Sequence, residues 1–251
     1  MAKHSGRRTL TLVVAAAVLL IGLSGAYYYF RGQKFAATMA RTAPAEEAVT
    51  LRLIIDPGHG GLDGGAVSLT GMEESEINLA IALRLEALAI LYGIPTEMTR
   101  RTTDLVYPED ANTIRAKKVA DTRARVQQIN DAPNAVVISI HQNTYDGPSV
   151  SGPQVLFADT EASEAFAEIM QNALTVGLGL ERPRAPVRVR ASVFIMNHID
   201  CPAILVECGF LSNPAEEGLL RTEDYQLRLA GILLSGYMEA VTLLQARYVN
   251  E

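Results

Sequence analysis

Three apolar runs in this chain each lead directly into a residue that can bind a metal or move a proton. Leu53-Ile54-Ile55 runs into Asp56-Pro57-Gly58-His59-Gly60-Gly61, Val136-Val137-Ile138-Ser139-Ile140 into His141, and Ala203-Ile204-Leu205-Val206 into Glu207. Short apolar runs bounded by turn residues read as buried strands. In an open α/β sheet, ligands bind in the crevice outside the carboxyl ends of the strands. The three runs therefore predict one site, assembled along one sheet edge from distant parts of the chain.

The remainder of the domain alternates strand-like and helix-like patterns. Strands are expected at Leu51–Ile55, Ile94–Thr99, Ala135–Ile140, Gln154–Ala158 and Ala203–Val206, with a further strand or edge segment at Ser192–Met196. A helix is expected over Glu74–Tyr92, with Ile77, Ile81, Leu85, Leu88 and Tyr92 as its buried stripe and Gly93 as its stop. A second should start from Asn112 as cap and run to about Asn130, with Ile114, Val119, Val126 and Ile129 inward. Thr160 can cap a third, to about Leu178, and Asp224–Arg247 forms a long final helix after a Ser212-Asn213-Pro214 turn. This alternation predicts an α/β fold, a single twisted, mainly parallel or mixed sheet with helices on both faces.

The chain is 251 residues long, enough for one sizeable core and short for two. Its net charge of -6, with no long basic cluster beyond the N-terminus, argues against nucleic acid as a partner. Cys201 and Cys208 flank an extended run of residues. Seven residues of strand span roughly 23 Å, too far for a disulfide, so two free thiols are expected.

Leu10 to Phe30 carries no charge, is flanked by Lys3, Arg7, Arg8, Arg31 and Lys34, and ends in Tyr27-Tyr28-Tyr29. A run of that length can span a bilayer, and the tyrosines suit its interface. A cleavable signal has a shorter apolar region ending at a small-x-small site. Ser24-Gly25-Ala26 lies inside the run and Ala43-Pro44-Ala45 well beyond it, which favours an uncleaved anchor. Under either reading the expected organisation is an N-terminal signal or membrane anchor over residues 1–32, a linker over 33–50 and a folded domain over 51–251. That domain lies outside the cytoplasm, tethered or secreted.

His59, His141, Glu207 and an acid near the start of the first helix are the candidates for chemistry. Zinc enzymes hold the metal with three His, Asp or Glu ligands and leave a position for water, and a separate carboxylate can act as general base. Two histidines and a glutamate make such a set, and Glu207, an acid closing an apolar run, suits the base. Composition alone does not choose among Glu73, Glu74 and Glu76. The glycines around His59 lack both phosphate-binding spacings, GxGxxG and GxxxxGKS. These residues point to an extracytoplasmic metal hydrolase.

The motifs also carry a resemblance. Asp56-Pro57-Gly58-His59-Gly60-Gly61, Glu74 with Asn78-Leu79, Ser139-Ile140-His141-Gln142-Asn143 and Glu207-Cys208-Gly209-Phe210-Leu211-Ser212-Asn213 occur in that order. Together they resemble the zinc-dependent N-acetylmuramoyl-L-alanine amidases, the AmiC-like cell-wall hydrolases, from about Leu51 to the last helix. Met98-Thr99-Arg100, Thr103-Asp104-Leu105 and Arg125-Val126 with Ile129-Asn130 resemble the germination-specific spore-cortex subgroup most closely. The resemblance implies Zn2+ held by His59, Glu74 and His141, with Glu207 as the catalytic glutamate. It implies hydrolysis of the amide between N-acetylmuramic acid and L-alanine, on glycan strands bearing stem peptides. In spore cortex this step precedes muramic-δ-lactam formation.

Two positions depart from the family pattern. Ser75 replaces a frequent lysine after the ligand glutamate, and Gln142 replaces a small or apolar residue beside His141, where it is expected to adjust substrate fit. Cys208 should point away from Glu207 and not bind zinc. No wall-binding repeat is evident, so targeting would fall to the anchor or to a protein activator. Two rival readings share these residues: a membrane-tethered peptidoglycan-binding protein without catalysis, and a zinc peptidase acting within stem peptides.

Overall fold

The computed structural model describes residues 49–249. The expected N-terminal segment, and all of the expected linker except Val49 and Thr50, lie outside them. The described elements are β1 (Arg52–Pro57), α1 (Glu74–Leu91), β2 (Thr96–Met98), α2 (Ile114–Asp131), β3 (Ala135–Asn143), β4 (Gln154–Phe157), α3 (Glu161–Leu178), β5 (Val187–Arg188), a 3-10 turn (Ile195–Asn197), β6 (Ala203–Phe210), α4 (Pro214–Leu220) and α5 (Glu223–Val249).

The six strands form one sheet in the order β2-β1-β3-β6-β4-β5. β2, β1, β3 and β6 are mutually parallel; β4 runs antiparallel to β6 and parallel to β5. The sheet is thus mixed and mainly parallel, as the alternating pattern implied. Strand residues alternate between the faces. Leu53, Ile55, Val136, Ile138, Ile140, Ile204 and Val206 pack into a core with α1, α3 and α5. Ile54, Val137, Ala203 and Leu205 face the other way, onto Ile129 of α2 and the segment around Met196 and Ile199. Near-continuous apolar strands are what a sheet covered on both faces requires. The Glu223–Ala246 stretch is long and apolar enough to cross a membrane. Leu229, Leu233, Tyr237, Ala240 and Leu244 bury one side of it in the core, which accounts for its hydropathy.

Several boundaries differ from the sequence expectation, each for a local reason. β3 continues through His141 to Asn143 and β6 through Glu207 to Phe210, so both residues sit within strands rather than after them. Thr113, not Asn112, caps α2, its hydroxyl accepting from the Ala116 amide at 3.1 Å. Ile114 and Val119 are exposed; the buried side of α2 carries Arg125 and Ile129. Tyr92 is exposed as the cap of α1, beyond the buried stripe. Ser192–Met196 is not a strand but bends into the 3-10 turn, and the edge strand is Val187–Arg188. The Ser-Asn-Pro turn opens a helix: Asn213 Oδ1 accepts from the Ala215 and Glu216 amides, with Pro214 in the first turn.

Candidate metal centre

The turn after β1 determines where His59 points. His59 has φ 60, in the left-handed region that non-glycine residues seldom enter, and Gly60 and Gly61 follow at φ 129 and 57. Two buried arginines hold this backbone. Arg100 donates from Nε to the Pro57 carbonyl at 3.0 Å and from Nη2 to the Gly58 carbonyl at 2.9 Å. Arg125 donates from Nη1 to the Pro57 carbonyl at 2.8 Å and from Nη2 to the His59 carbonyl. Three successive carbonyls are therefore turned inward onto guanidinium groups. Arg125 also pairs with Asp56, which is fully buried, at 3.0 Å, and hydroxyls of Thr99 and Ser139 complete that carboxylate, each at 2.7 Å.

So oriented, His59 meets Glu74 and His141. His59 Nε2 lies 3.3 Å from Glu74 Oε2, and His141 Nδ1 lies 3.0 Å from Glu74 Oε1. The imidazole rings stand edge to face, with centroids 5.0 Å apart. One ligand atom from each residue falls within 4.8 Å of those of the others. Glu73 and Glu76 are exposed, so the fold separates the three acids that composition leaves equivalent. Glu74 enters from the first turn of α1, and its carboxylate accepts from the Ala66 and Gln142 amides, each at 3.0 Å, and from Asn78 Nδ2 at 3.2 Å.

This corrects the reading of Gln142. Its side chain is buried and donates to Asn78 Oδ1 at 3.1 Å, so it braces the Glu74 scaffold rather than facing substrate. Ser75, the other departure, is buried, and its carbonyl accepts from Arg100 at 2.9 Å. A lysine's length and charge have no role in that contact.

Glu207 stands on β6 in register with His141 on the adjacent β3. It lines the same cavity, of about 340 Å3, as His59 and His141. Its Oε2 is buried and has no hydrogen-bond partner, an acceptor left available for a reacting group. Cys208 points into the core on the opposite face, and both cysteines are free thiols, as expected. Asp63 is a residue that sequence reasoning passed over. It accepts from His59 Nδ1 at 3.1 Å and pairs with Lys118 at 2.7 Å. Its spacing of four residues from His59 was the available signal. A carboxylate on the far ring nitrogen fixes the tautomer and orientation of a ligating histidine.

The charges follow from these contacts. Burial alone would lower the His59 pKa, but hydrogen bonds and charge from Asp63 and Glu74 outweigh it and raise it to about 9. Burial disfavours the Glu74 carboxylate, yet His141 and His59 hold it far below its usual range. Burial pushes Glu207 up to about 7; His141 opposes that, the Glu74 charge adds to it, and His59 opposes it again. Two imidazoles and one carboxylate, converging and braced from behind, fit a zinc-like divalent ion.

Two predictions arise here. A Cβ on Gly58 would sit 2.2 Å from His141 Cε1 and 2.3 Å from its Nε2, with no positive φ to confuse the effect. Gly58→Ala should therefore displace the ring and weaken zinc binding roughly 10–100-fold, the range for a disturbed ligand support. Gly218→Ala, where nothing lies within 4 Å, should leave it unchanged; competition with a chelator measures both. The second concerns protons. A ligand imidazole must be neutral, and His59 keeps its proton to about pH 9. Zinc uptake should therefore release about one proton fewer at pH 10 than at pH 8, measured by calorimetry in buffers of different ionisation enthalpy. The same shift makes the metal-free protein lose stability as pH rises from 6.5 toward 9, because the folded state binds the proton more tightly.

Comparison with known proteins places this architecture. Residues 53–237 match the family described as N-acetylmuramoyl-L-alanine amidase. A germination-specific N-acetylmuramoyl-L-alanine amidase of Bacillus subtilis is 32% identical over 191 residues, covering 76% of this chain and 79% of that protein. Among solved structures, the CwlD amidase of Clostridioides difficile, in complex with the GerS lipoprotein, superposes with TM-score 0.73 at 30% identity. The alignment covers 77% of this chain and 99% of that one. The amidase AmiC2 of Nostoc punctiforme gives TM-score 0.66 at 26% identity, covering 78% and 99%.

Proposed function

The chain belongs to the N-acetylmuramoyl-L-alanine amidase family, and from that premise we propose that it is a zinc-dependent hydrolase. The bond it cuts is the amide between the lactyl group of N-acetylmuramic acid and L-alanine in peptidoglycan. The observation that carries the reading is the convergence of His59, Glu74 and His141, beside a cavity that His59 and His141 line together with Glu207, whose Oε2 has no hydrogen-bond partner. His59, Glu74 and His141 would hold the metal. When bound, zinc supplies Lewis-acid polarisation of the carbonyl and lowers the pKa of water. Glu207 takes a proton from the attacking water and passes it to the nitrogen of L-alanine as the C–N bond breaks. The products are the lactyl carboxylic acid on the glycan and a stem peptide with a free amine. Asp63, through His59 Nδ1, holds the ring with its other nitrogen toward the ligand set.

The further proposals rest on relatives and on the N-terminal sequence. A germination-specific relative supports a role in spore cortex, ahead of muramic-δ-lactam formation. A relative solved with a lipoprotein supports a protein partner. The uncharged run from Leu10 to Phe30 supports delivery across a membrane, as an anchor or a signal, with residues 51–251 acting on the outer side.

The test is digestion of purified peptidoglycan by the full chain, with and without a zinc chelator, followed by mass spectrometry. Zinc-dependent release of intact stem peptides beginning at L-alanine is expected. New amino-acid carboxyl ends would instead identify a peptidase, and cleavage indifferent to chelation would sink the zinc assignment.

A further inference from the structure

The end of α1 remote from the metal centre is apolar and exposed. Residues 87–96 carry no charge. Ile90 is 62% exposed, Leu91 79% and Tyr92 62%, and Gly93 and Pro95 beside them are exposed too. Single exposed apolar side chains are ordinary on a protein surface, but three in succession at a helix end make a patch. The amides beneath it are already satisfied. Tyr92 donates to the Leu88 carbonyl at 3.1 Å, Gly93 to Ile90 at 3.0 Å and Ile94 to Ala89 at 2.9 Å. These three groups can therefore leave water without stranding a donor.

The place of the patch in the fold narrows what could cover it. α1 begins at Glu74, in the ligand set, and ends at Leu91. Its eighteen residues, at 1.5 Å each, put the tip about 27 Å from that set. The tip lies at the edge of the sheet where β1 and β2 begin, and the chain enters the domain at the same edge. Leu53 is in register with Thr96, and its amide donates to the Pro95 carbonyl at 2.9 Å. Val49, four residues before Leu53, packs against the same core as Ile94, and its carbonyl accepts from Gln245 at 3.0 Å. Before Val49 come 48 residues that include the uncharged run from Leu10 to Phe30. Residues 31–48 can stretch no further than about 65 Å. A bilayer spanned by that run is thus within reach of the entry edge, and a weak contact there gains from raised effective concentration.

The chemistry of the patch selects the partner. It offers no charge to a nucleic acid or an acidic protein. Isoleucine and leucine gain by leaving water, and a tyrosine ring suits the headgroup level of a bilayer. Resting on the reading that Leu10 to Phe30 anchors the chain, we propose that Ile90, Leu91 and Tyr92 form a second, reversible membrane contact whose partner is a lipid surface. The consequence for function is orientation. A domain docked by this tip holds its metal centre at the other end of α1, up to about 27 Å from the lipid and turned toward the wall.

The chain contains no tryptophan, so a single one reports its own surroundings. The experiment places Tyr92→Trp in the full chain, reconstituted in phosphatidylcholine vesicles with and without brominated acyl chains. Its emission should lie to the blue of that in detergent-free buffer with denaturant, and should lose intensity in the brominated vesicles. Tyr145→Trp, at a 61% exposed position just beyond β3 on the metal-centre edge, should lose none. Adding Ile90→Ser and Leu91→Ser to Tyr92→Trp should restore the lost intensity. Equal intensity in both kinds of vesicle, in a chain that floats with the lipid, would overturn the proposal, and so would quenching that survives the two serines. Shielding of the tryptophan from aqueous iodide without quenching by bromolipid would overturn it as well, and would mean that a protein surface covers the tip. If the full chain does not float with the vesicles, the anchor reading falls by itself. Titration of that soluble chain with the same brominated vesicles then decides the tip separately: quenching in Tyr92→Trp and not in Tyr145→Trp supports it, and quenching in neither overturns it.

Discussion

Glu207→Gln is expected to reduce peptide release by a factor on the order of 10^2–10^4, the usual contribution of a general acid–base group, while zinc stays bound at wild-type affinity. The argument is geometric before it is electrostatic. Glu207 is outside the converging ligand set but shares its cavity and its strand register. Gln keeps the shape and can accept a hydrogen bond, but it cannot take up a proton. Loss of activity with retained metal therefore separates a base from a ligand, and loss of both would make Glu207 a ligand. The pH profile supplies a second check. Burial pushes this carboxyl to about 7 before any metal charge is added, and a bound cation favours the ionised form. A base must be ionised to act, so kcat/KM should rise with pH along a limb centred at or below about 7, and that limb should vanish in the residual activity of Glu207→Gln.

The strands and the candidate residues on them were legible because each depends on a local pattern. An apolar run of three to five residues leading into a His or Glu can be read without knowing its neighbours. The parallel order of β1, β3 and β6 then brings those positions to one edge. What was not legible is pairwise and distant. Nothing in the sequence around Gln142 says that its amide reaches Asn78, 64 residues away. The α2 stripe failed for a related reason. Periodicity assigns Ile114 and Val119 inward, but the inward position is taken by an arginine whose partner, Asp56, lies 69 residues earlier. A buried charge is visible only when its counter-charge is. The run Val193-Phe194-Ile195-Met196, which leads into the 3-10 turn, fooled the strand reading because β-branched and aromatic residues follow one another in it as they do in a short buried strand. There they serve a cavity wall on one side and the smaller core on the other.

That same arginine sets the second large effect. Arg125→Met should destabilise the protein by about 3–5 kcal/mol, the cost of leaving one member of a buried ion pair uncompensated. Asp56 is fully buried and Arg125 nearly so. Burial disfavours the Asp56 carboxylate, and Arg125, with the Thr99 and Ser139 hydroxyls, more than reverses this, so its folded pKa lies below the unfolded one. The sign follows: the pair's stabilisation is present above the unfolded pKa and is lost as pH falls through the folded value. Guanidinium melts over a pH series should show that acid dependence in the wild type and its loss in Asp56→Asn/Arg125→Met. The double variant removes the stranded charge and should regain much of the stability. It should not regain zinc affinity, because Arg125 also holds the Pro57 and His59 carbonyls, and with them the left-handed backbone that aims His59 at Glu74. Recovery of both together would mean that Arg125 acts on stability alone; recovery of stability without the metal separates the clamp on the histidine turn from the ion pair beneath it.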